Sequence, residues 1–230
     1  MSRIISIEGN IGSGKSTLVK DLQKHFINKD IKNDKVVFLQ EPVDIWNTIR
    51  DEEGSVIEHF YKDQEKYSFP FQMMAYISRL ALLRDTIKKY PNSIIITERS
   101  LYTDKYVFAK MLYDNKKINE ISYQIYLKWF DEFIKDLPKH EFIYIKTSPE
   151  KCEQRIKKRD RTGENIELDY LYNCNSYHDR MLSSHECYAE LVLDGNIDMS
   201  DSYGQINMHI NSIELMIFSK YQTSEHEINV

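Results

Sequence analysis

Lys15-Ser16, preceded by glycines at 9, 12 and 14, is the part of this chain whose residue types and spacing most plainly carry chemistry. The run Gly9-Asn10-Ile11-Gly12-Ser13-Gly14-Lys15-Ser16-Thr17 fits G-x-x-x-x-G-K-[ST] over residues 9–16. An apolar, β-branched stretch, Ile4-Ile5-Ser6-Ile7, precedes it and a helix-like pattern follows. That strand–loop–helix context is what the motif needs. The glycines let successive backbone N–H groups turn inward around a polyphosphate. The helix starting near Lys15 aims its positive dipole end at the same place. Lys15 can reach the β/γ-phosphates, and the Ser16 hydroxyl can ligate Mg²⁺. A dinucleotide cradle is excluded, because no third Gly follows Gly12 and Gly14 at G-x-G-x-x-G spacing. The chain is expected to bind a nucleoside triphosphate with Mg²⁺, which leaves the phosphate acceptor to be found.

Other polar residues bear on that question. Glu41 lies just after the apolar run 36–39, at the end of an expected strand, and Pro42 favours extended geometry for it. A carboxylate held there can accept a proton from a hydroxyl attacking the γ-phosphate. Position alone leaves a surface Glu at a strand end as an equal reading. Glu98-Arg99 follows the strongest strand pattern of the chain. Glu98 can hold Mg²⁺ directly or through water, and Arg99 can neutralise the transferred phosphoryl group. The alternative is a structural ion pair. Lys151, Arg155, Lys157, Lys158, Arg159 and Arg161 form a basic segment, with Arg155 and Arg159 on one helix face. Thr162-Gly163 then reads as a hinge, so residues 155–168 are expected to form an arginine-rich lid over polyphosphate rather than a solvated helix. Gln72 and Arg79 lie seven apart on one helix face. An amide at 72 could read a base edge, and Arg79 could pair with Asp104. Spacing alone does not separate that from ordinary surface polarity.

The elements that must position these groups follow from periodicity. Short apolar runs at 4–7, 36–39, 93–97, 142–145 and 191–193 read as buried strands. Helical patterns lie between them. Pro70 suits a helix's first turn, followed by Phe71, Met74, Ile77, Ser78, Ala81 and Leu82 at helical spacing. Pro91-Asn92 ends that helix. Residues 119–136 form an amphipathic helix with Tyr126, Trp129, Phe130 and Phe133 on one side. Residues 149–160 and 206–221 are helical as well. Strands alternating with helices predict an α/β fold, a five-stranded parallel sheet covered on both faces. Ligands of such sheets bind beyond the carboxyl ends of the strands. Gly9, Glu41 and Glu98-Arg99 all fall at those ends.

Composition narrows the classes. The 230 residues suit one α/β domain, taken as residues 1–230. A net charge of −5 argues against bulk nucleic-acid binding. Cys152, Cys174 and Cys187 show no paired spacing and no His in a metal-ligand pattern, which suits reduced thiols in a cytoplasmic compartment. With the first strand starting three residues in, no targeting segment is expected, and no apolar run reaches the ~20 residues of a membrane span.

Taken together, these residues resemble the deoxynucleoside kinase family, most closely its deoxycytidine/deoxyguanosine kinase branch. The resemblance runs from about Ile4 to Tyr170 and weakens afterwards. It rests on the P-loop; on Glu41-Pro42-Val43 with Trp46; on Phe69-Pro70-Phe71-Gln72; on Glu98-Arg99-Ser100 with Tyr102 and Asp104; and on the arginines from Arg155 to Arg161. It implies a P-loop kinase fold that transfers the γ-phosphoryl of Mg·ATP to the 5′-hydroxyl of a deoxynucleoside. By the same resemblance, Glu41 is the general base, Arg99 lies near the 5′-oxygen and Glu98 is the carboxylate on the Mg²⁺ side. Gln72 bonds the base, with Phe71, Trp46 and Phe108 packed around it. Tyr61 and Glu164 meet the sugar 3′-hydroxyl, and Arg155, Arg159 and Arg161 belong to the lid. Arg79 with Asp104 implies deoxycytidine or purine deoxynucleosides over thymidine, and the family is typically homodimeric through helices. Two rivals remain. A nucleoside monophosphate kinase must hold an acceptor phosphate, which Glu41 would repel. A P-loop switch protein needs a guanine motif, and Asn28-Lys29-Asp30 lacks its spacing and its preceding strand.

Overall fold

The computed structural model describes residues 2–29, 35–161, 164, 166–197 and 203–226. Five parallel strands run in the order β2-β3-β1-β4-β5. In chain order the elements begin with β1 (Arg3–Glu8), α1 (Lys15–Asn28), β2 (Val36–Leu39), α2 (Val43–Thr48), α3 (Val56–Lys62) and α4 (Gln64–Lys89). Then come β3 (Ile94–Glu98), α5 (Leu101–Thr103), a π-helical turn (Asp104–Ala109), α6 (Lys110–Asp114) and α7 (Glu120–Phe133). A 3₁₀ turn (Ile134–Asp136), β4 (His140–Lys146), α8 (Pro149–Arg159), α9 (Leu168–Leu182), β5 (Ala189–Asp194) and α10 (Tyr203–His226) complete the order.

The pleat sorts the side chains of the central strands between two layers. Ile5 and Ile7 of β1 join Ile143 and Ile145 of β4 against Leu18, Val19, Leu22 and Phe26 of α1 and Ile210, Ile213 and Ile217 of α10. On the other face Ile4 and Ile95 meet Tyr76, Leu80 and Leu83 of α4, Leu101 of α5, and Tyr126 and Phe130 of α7. Phe142 and Tyr144 face that side too, against Val107, Met181 and Leu182. A period of two on strands clothed on both sides explains why the runs read as continuously apolar. Each such side chain contributes about 1.5–3 kcal/mol on burial.

The register aligns the carboxyl ends. Ile7 pairs with Glu98 and with Ile143, and Leu39 pairs with Thr97. The segments after β1, β2 and β3 therefore leave the sheet on the same side, beyond its carboxyl ends.

One expectation is corrected. Pro70 does not open its helix; it lies inside α4, which starts earlier at Gln64. Asp63 is the reason, since its side chain accepts from the Lys66 backbone N–H at 3.1 Å and caps the helix there. A proline in a helix interior costs about 3 kcal/mol. The buried positions of α4, among them Gln72, Tyr76, Arg79, Leu80 and Leu83, outweigh it. The expected apolar face of α7 is also narrower than its aromatics suggest. Tyr126 and Phe130 are buried, whereas Trp129 stands 47% exposed and stacks on Phe133. Among the described residues no helix is long and apolar enough to cross a membrane.

Candidate active site

The loop after β1 turns through conformations that side chains rarely adopt. At Gly9 φ is 149°, and a Cβ there would stand 2.7 Å from the Ile145 carbonyl oxygen and from Ser13 Oγ. Gly14 caps α1 in the left-handed region at φ 102°. Lys15 opens α1 and folds back across the loop, its Nζ donating to the carbonyls of Asn10 at 2.7 Å and Gly9 at 3.0 Å. Burial, then the charge of Arg99, lowers its pKa to about 8 against the opposing pull of Glu98 and Glu41. The ammonium thus satisfies backbone carbonyls that a polyphosphate would release. Asn10 ties the loop to α9 through Nδ2 and the Leu171 carbonyl, 2.9 Å.

Ser16 and Glu98 meet directly, the hydroxyl donating to Glu98 Oε1 at 2.6 Å. Residues from α1 and from the end of β3 thereby present adjacent hard oxygen donors. That donor set fits Mg²⁺, which takes one or two protein oxygens and fills its other positions with phosphate oxygens and water.

Glu41 follows β2 and lies between two guanidinium groups. Arg79 Nη2 donates to its Oε1 at 2.9 Å, and Arg99 Nη1 donates to Oε1 and Oε2 at 2.8 and 3.0 Å. Burial pushes the carboxyl up, but Arg99, Arg79 and Lys15 prevail and hold its pKa down at about 2. Arg79 is engaged on three sides. Its Nε donates to Asp104 Oδ2 at 3.0 Å and its Nη1 to the Glu98 carbonyl at 2.8 Å. Burial raises the Asp104 carboxyl to about 6, with Arg79 resisting. Arg99 sits at φ 62°, a strained value for a residue with a side chain, and its guanidinium lies 5.0 Å from the centre of the Phe108 ring. Asp104 and Phe108 belong to the π-helical turn and, four residues apart, lie on one side of it.

A cavity of about 1300 Å³ joins these groups. Ile11, Gly12, Gly14, Lys15, Ser16 and Thr17 of the Gly-rich loop and α1 line one part of it, while Gly9, Asn10 and Ser13 are not among its lining residues. Glu41, Glu98 and Arg99 stand in the middle. Trp46, Tyr61, Phe71, Gln72, Asp104 and Phe108 line the other end. There Phe71 meets the Trp46 ring edge-on at 5.6 Å. Gln72 is 2% exposed, and among the described residues no hydrogen bond engages its amide. Arg155, Arg159, Arg161 and Glu164 border the cavity as well. Arg155 donates to the carbonyls of Ser13 at 3.2 Å and Ile197 at 2.9 Å, and Arg159 pairs with Glu164 at 2.5 Å. The expected hinge, Thr162-Gly163, lies outside the described residues.

Sequence reasoning missed three contributors. Phe60 stacks on Phe71 at 4.7 Å, and Tyr170 lines the cavity from the first turn of α9. Glu8, the last residue of β1, is fully buried beneath the cluster. A charge inside an apolar run was the legible signal for Glu8. Phe60 and Tyr170 carried none beyond aromaticity.

The chain also resembles known proteins over most of its length. A deoxynucleoside kinase family profile matches residues 5–217, well past the Tyr170 limit of the sequence motifs. A probable deoxycytidine kinase of fowlpox virus (strain NVSL) is 32% identical over 225 residues, covering 94% of this chain and 89% of the relative. The deoxycytidine kinase of Homo sapiens is 34% identical over 230 residues, 86% of each chain. A mitochondrial deoxyguanosine kinase of Xenopus laevis is 29% identical over 199 residues, 78% of this chain and 72% of its own. With a phosphate loop, a carboxylate clamped by two arginines and an aromatic pocket along one cavity, and with these matches on both sides of it, the chain belongs to the deoxynucleoside kinase family.

Proposed function

We propose that this nucleoside kinase transfers the γ-phosphoryl of Mg·ATP to the 5′-hydroxyl of a deoxynucleoside, favouring deoxycytidine and purine deoxynucleosides over thymidine. The observation that carries the reading is Glu41, ionised between Arg79 and Arg99 in the cavity that Lys15 and Ser16 also line. A carboxylate this acidic is a poor base toward a free alcohol. It orients the 5′-hydroxyl and takes the proton late, as the new P–O bond acidifies that oxygen. Arg99, on the same carboxylate, shifts toward the transferring group as negative charge gathers there. Lys15 leaves the loop carbonyls for the β/γ-phosphates. Ser16 and Glu98 would hold Mg²⁺, which supplies neutralisation of phosphate charge when bound with the triphosphate.

At the acceptor end Gln72 reads the base edge, flanked by Phe71, Trp46 and Phe108. The buried Arg79–Asp104 pair closes the pocket floor, crowding a thymine methyl while offering a carboxylate to an exocyclic amine. Tyr61 and Glu164 meet the sugar 3′-hydroxyl, and Arg155, Arg159 and Arg161 close over the phosphates as a lid. The reading takes residues 1–230 as one domain acting in the cytoplasm in nucleotide salvage. It makes the enzyme a homodimer through α4 and α7, whose Ile77, Ile121, Ile125 and Trp129 are exposed apolar residues. Sedimentation at the monomer mass would contradict the dimer. The reaction itself is tested by steady-state assays with deoxycytidine, deoxyadenosine, deoxyguanosine and thymidine. The expected result is the highest kcat/KM among the first three, and thymidine turning over best sinks the preference.

A further inference from the structure

We propose that Glu8 is a positioning residue: from the end of β1 it holds the turn that carries Arg99 and Asp104, and so fixes the Glu41 cluster relative to the phosphate loop. The inference rests on the proposed role of Glu41 and Arg99 and adds the part that aligns them. Glu8 is 0% exposed. Its Oε2 accepts a hydrogen bond from Thr103 Oγ1, and its Oε1 has no partner among the described residues. Burying a carboxylate costs several kcal/mol, and an apolar side chain would be the cheaper occupant of a strand core. What the carboxyl holds accounts for its presence.

The contacts form two parallel chains from β1. The carbonyl of Ile7 accepts the Arg99 backbone N–H at 3.0 Å, which pins the residue with the strained φ of 62°. A non-Gly residue in that region costs about 1–3 kcal/mol and persists only where its surroundings over-determine it. The second chain starts at Glu8 itself. Thr103, which Glu8 grips, also receives the Ser100 cap, its N–H donating to Ser100 Oγ at 3.2 Å. Asp104 comes next in the chain and its N–H donates to the Ser100 carbonyl at 3.3 Å. Asp104 then orients Arg79, and Arg79 with Arg99 orients Glu41. Gly9 follows Glu8 directly, so one peptide unit separates the donor loop from the residue that fixes the acceptor cluster. Burial raises the Glu8 carboxyl above its ordinary range against the nearby Ser100 and Thr103 hydroxyls and the charges of Arg79 and Arg99. The protonated acid gains weight in consequence, and a glutamine amide matches its shape.

The test compares Glu8→Ala, Glu8→Gln and Thr103→Val for kcat, for KM toward ATP and deoxycytidine, and for thermal unfolding. Misplacing a reacting group by an ångström costs about 10²-fold in rate. Glu8→Ala and Thr103→Val are expected to lower kcat by about ten- to a hundredfold with both KM values little changed. Glu8→Gln is expected to restore kcat, and the Ala/Val double variant to be no slower than the worse single. Wild-type kcat in Glu8→Ala overturns the proposal. So does a loss in Glu8→Gln as deep as in Glu8→Ala, which would mean that the charge and not the hydrogen bond is needed. If Glu8→Ala does not fold, the near-isosteric Thr103→Val decides by the same criterion. Glu41→Gln is run alongside. Full turnover in that variant rejects the proposed site, and Glu8's role with it. An inactive Glu41→Gln beside an unimpaired Glu8→Ala rejects Glu8 alone.

Discussion

Glu41 and Lys15 are linked by charge across the middle of the cavity, and each is shifted by the other's neighbourhood. The Glu41 carboxyl is held at about 2 and the Lys15 ammonium at about 8. In the free enzyme, protonated Lys15 is the form that binds polyphosphate. The value of kcat/KM for ATP should therefore fall as pH rises through about 8. Bound phosphates favour the ammonium, so the same limb should move to higher pH in the kcat profile. A kcat/KM profile flat through that region would contradict the assignment. Glu41, Arg99 and the P-loop residues stood out in the sequence because they lie where strands end and helices begin, whereas Gln72, inside α4, was separated from ordinary surface polarity only through the family resemblance. The mutual clamp of Glu41, Arg79 and Arg99 was not, because it joins residues up to 58 apart in the chain. Glu8 was absorbed into the apolar run beside it, although a charge in such a run was the clue.

At the scale of elements, the phosphate loop depends on how closely its backbone approaches β4. The crowding at Gly9, where a Cβ would stand 2.7 Å from the Ile145 carbonyl oxygen and φ is 149°, leaves no room for a side chain. Gly9→Ala should raise KM for ATP and lower Tm by several degrees, a cost of about 1–3 kcal/mol. Unchanged ATP kinetics and melting would contradict this reading of the loop. All five strands and their parallel pairing followed from the spacing of apolar runs. Helices α2 and α3 did not, being too short to show periodicity. A signal for α3 was nonetheless present: Ser55 and Glu58 form a capping box, with the Ser55 N–H donating to Glu58 Oε2 at 2.6 Å. Asp63, which caps α4, was likewise overlooked in favour of Pro70. The π-helical turn has no sequence signature, yet it carries Asp104 and Phe108, both of which line the cavity.

Across the whole molecule, the carboxyl ends of the strands bring the Gly-rich loop after β1, the carboxylate after β2 and the Glu–Arg pair at the end of β3 to one cavity, which α2, α3 and α4 extend into an aromatic pocket. In the proposed reading, the Gly-rich loop takes the triphosphate and the aromatic residues the nucleoside, with Glu41 acting on the hydroxyl between them. The most direct test follows the product of wild-type protein and Glu41→Gln with Mg·ATP and deoxycytidine. The account predicts deoxycytidine 5′-monophosphate from the wild type, formed only when the nucleoside is present. It predicts a kcat lower by about 10²- to 10⁴-fold in Glu41→Gln, with KM for ATP little changed. Near-wild-type turnover in Glu41→Gln, or phosphate transfer to a monophosphate in place of the nucleoside, would contradict it.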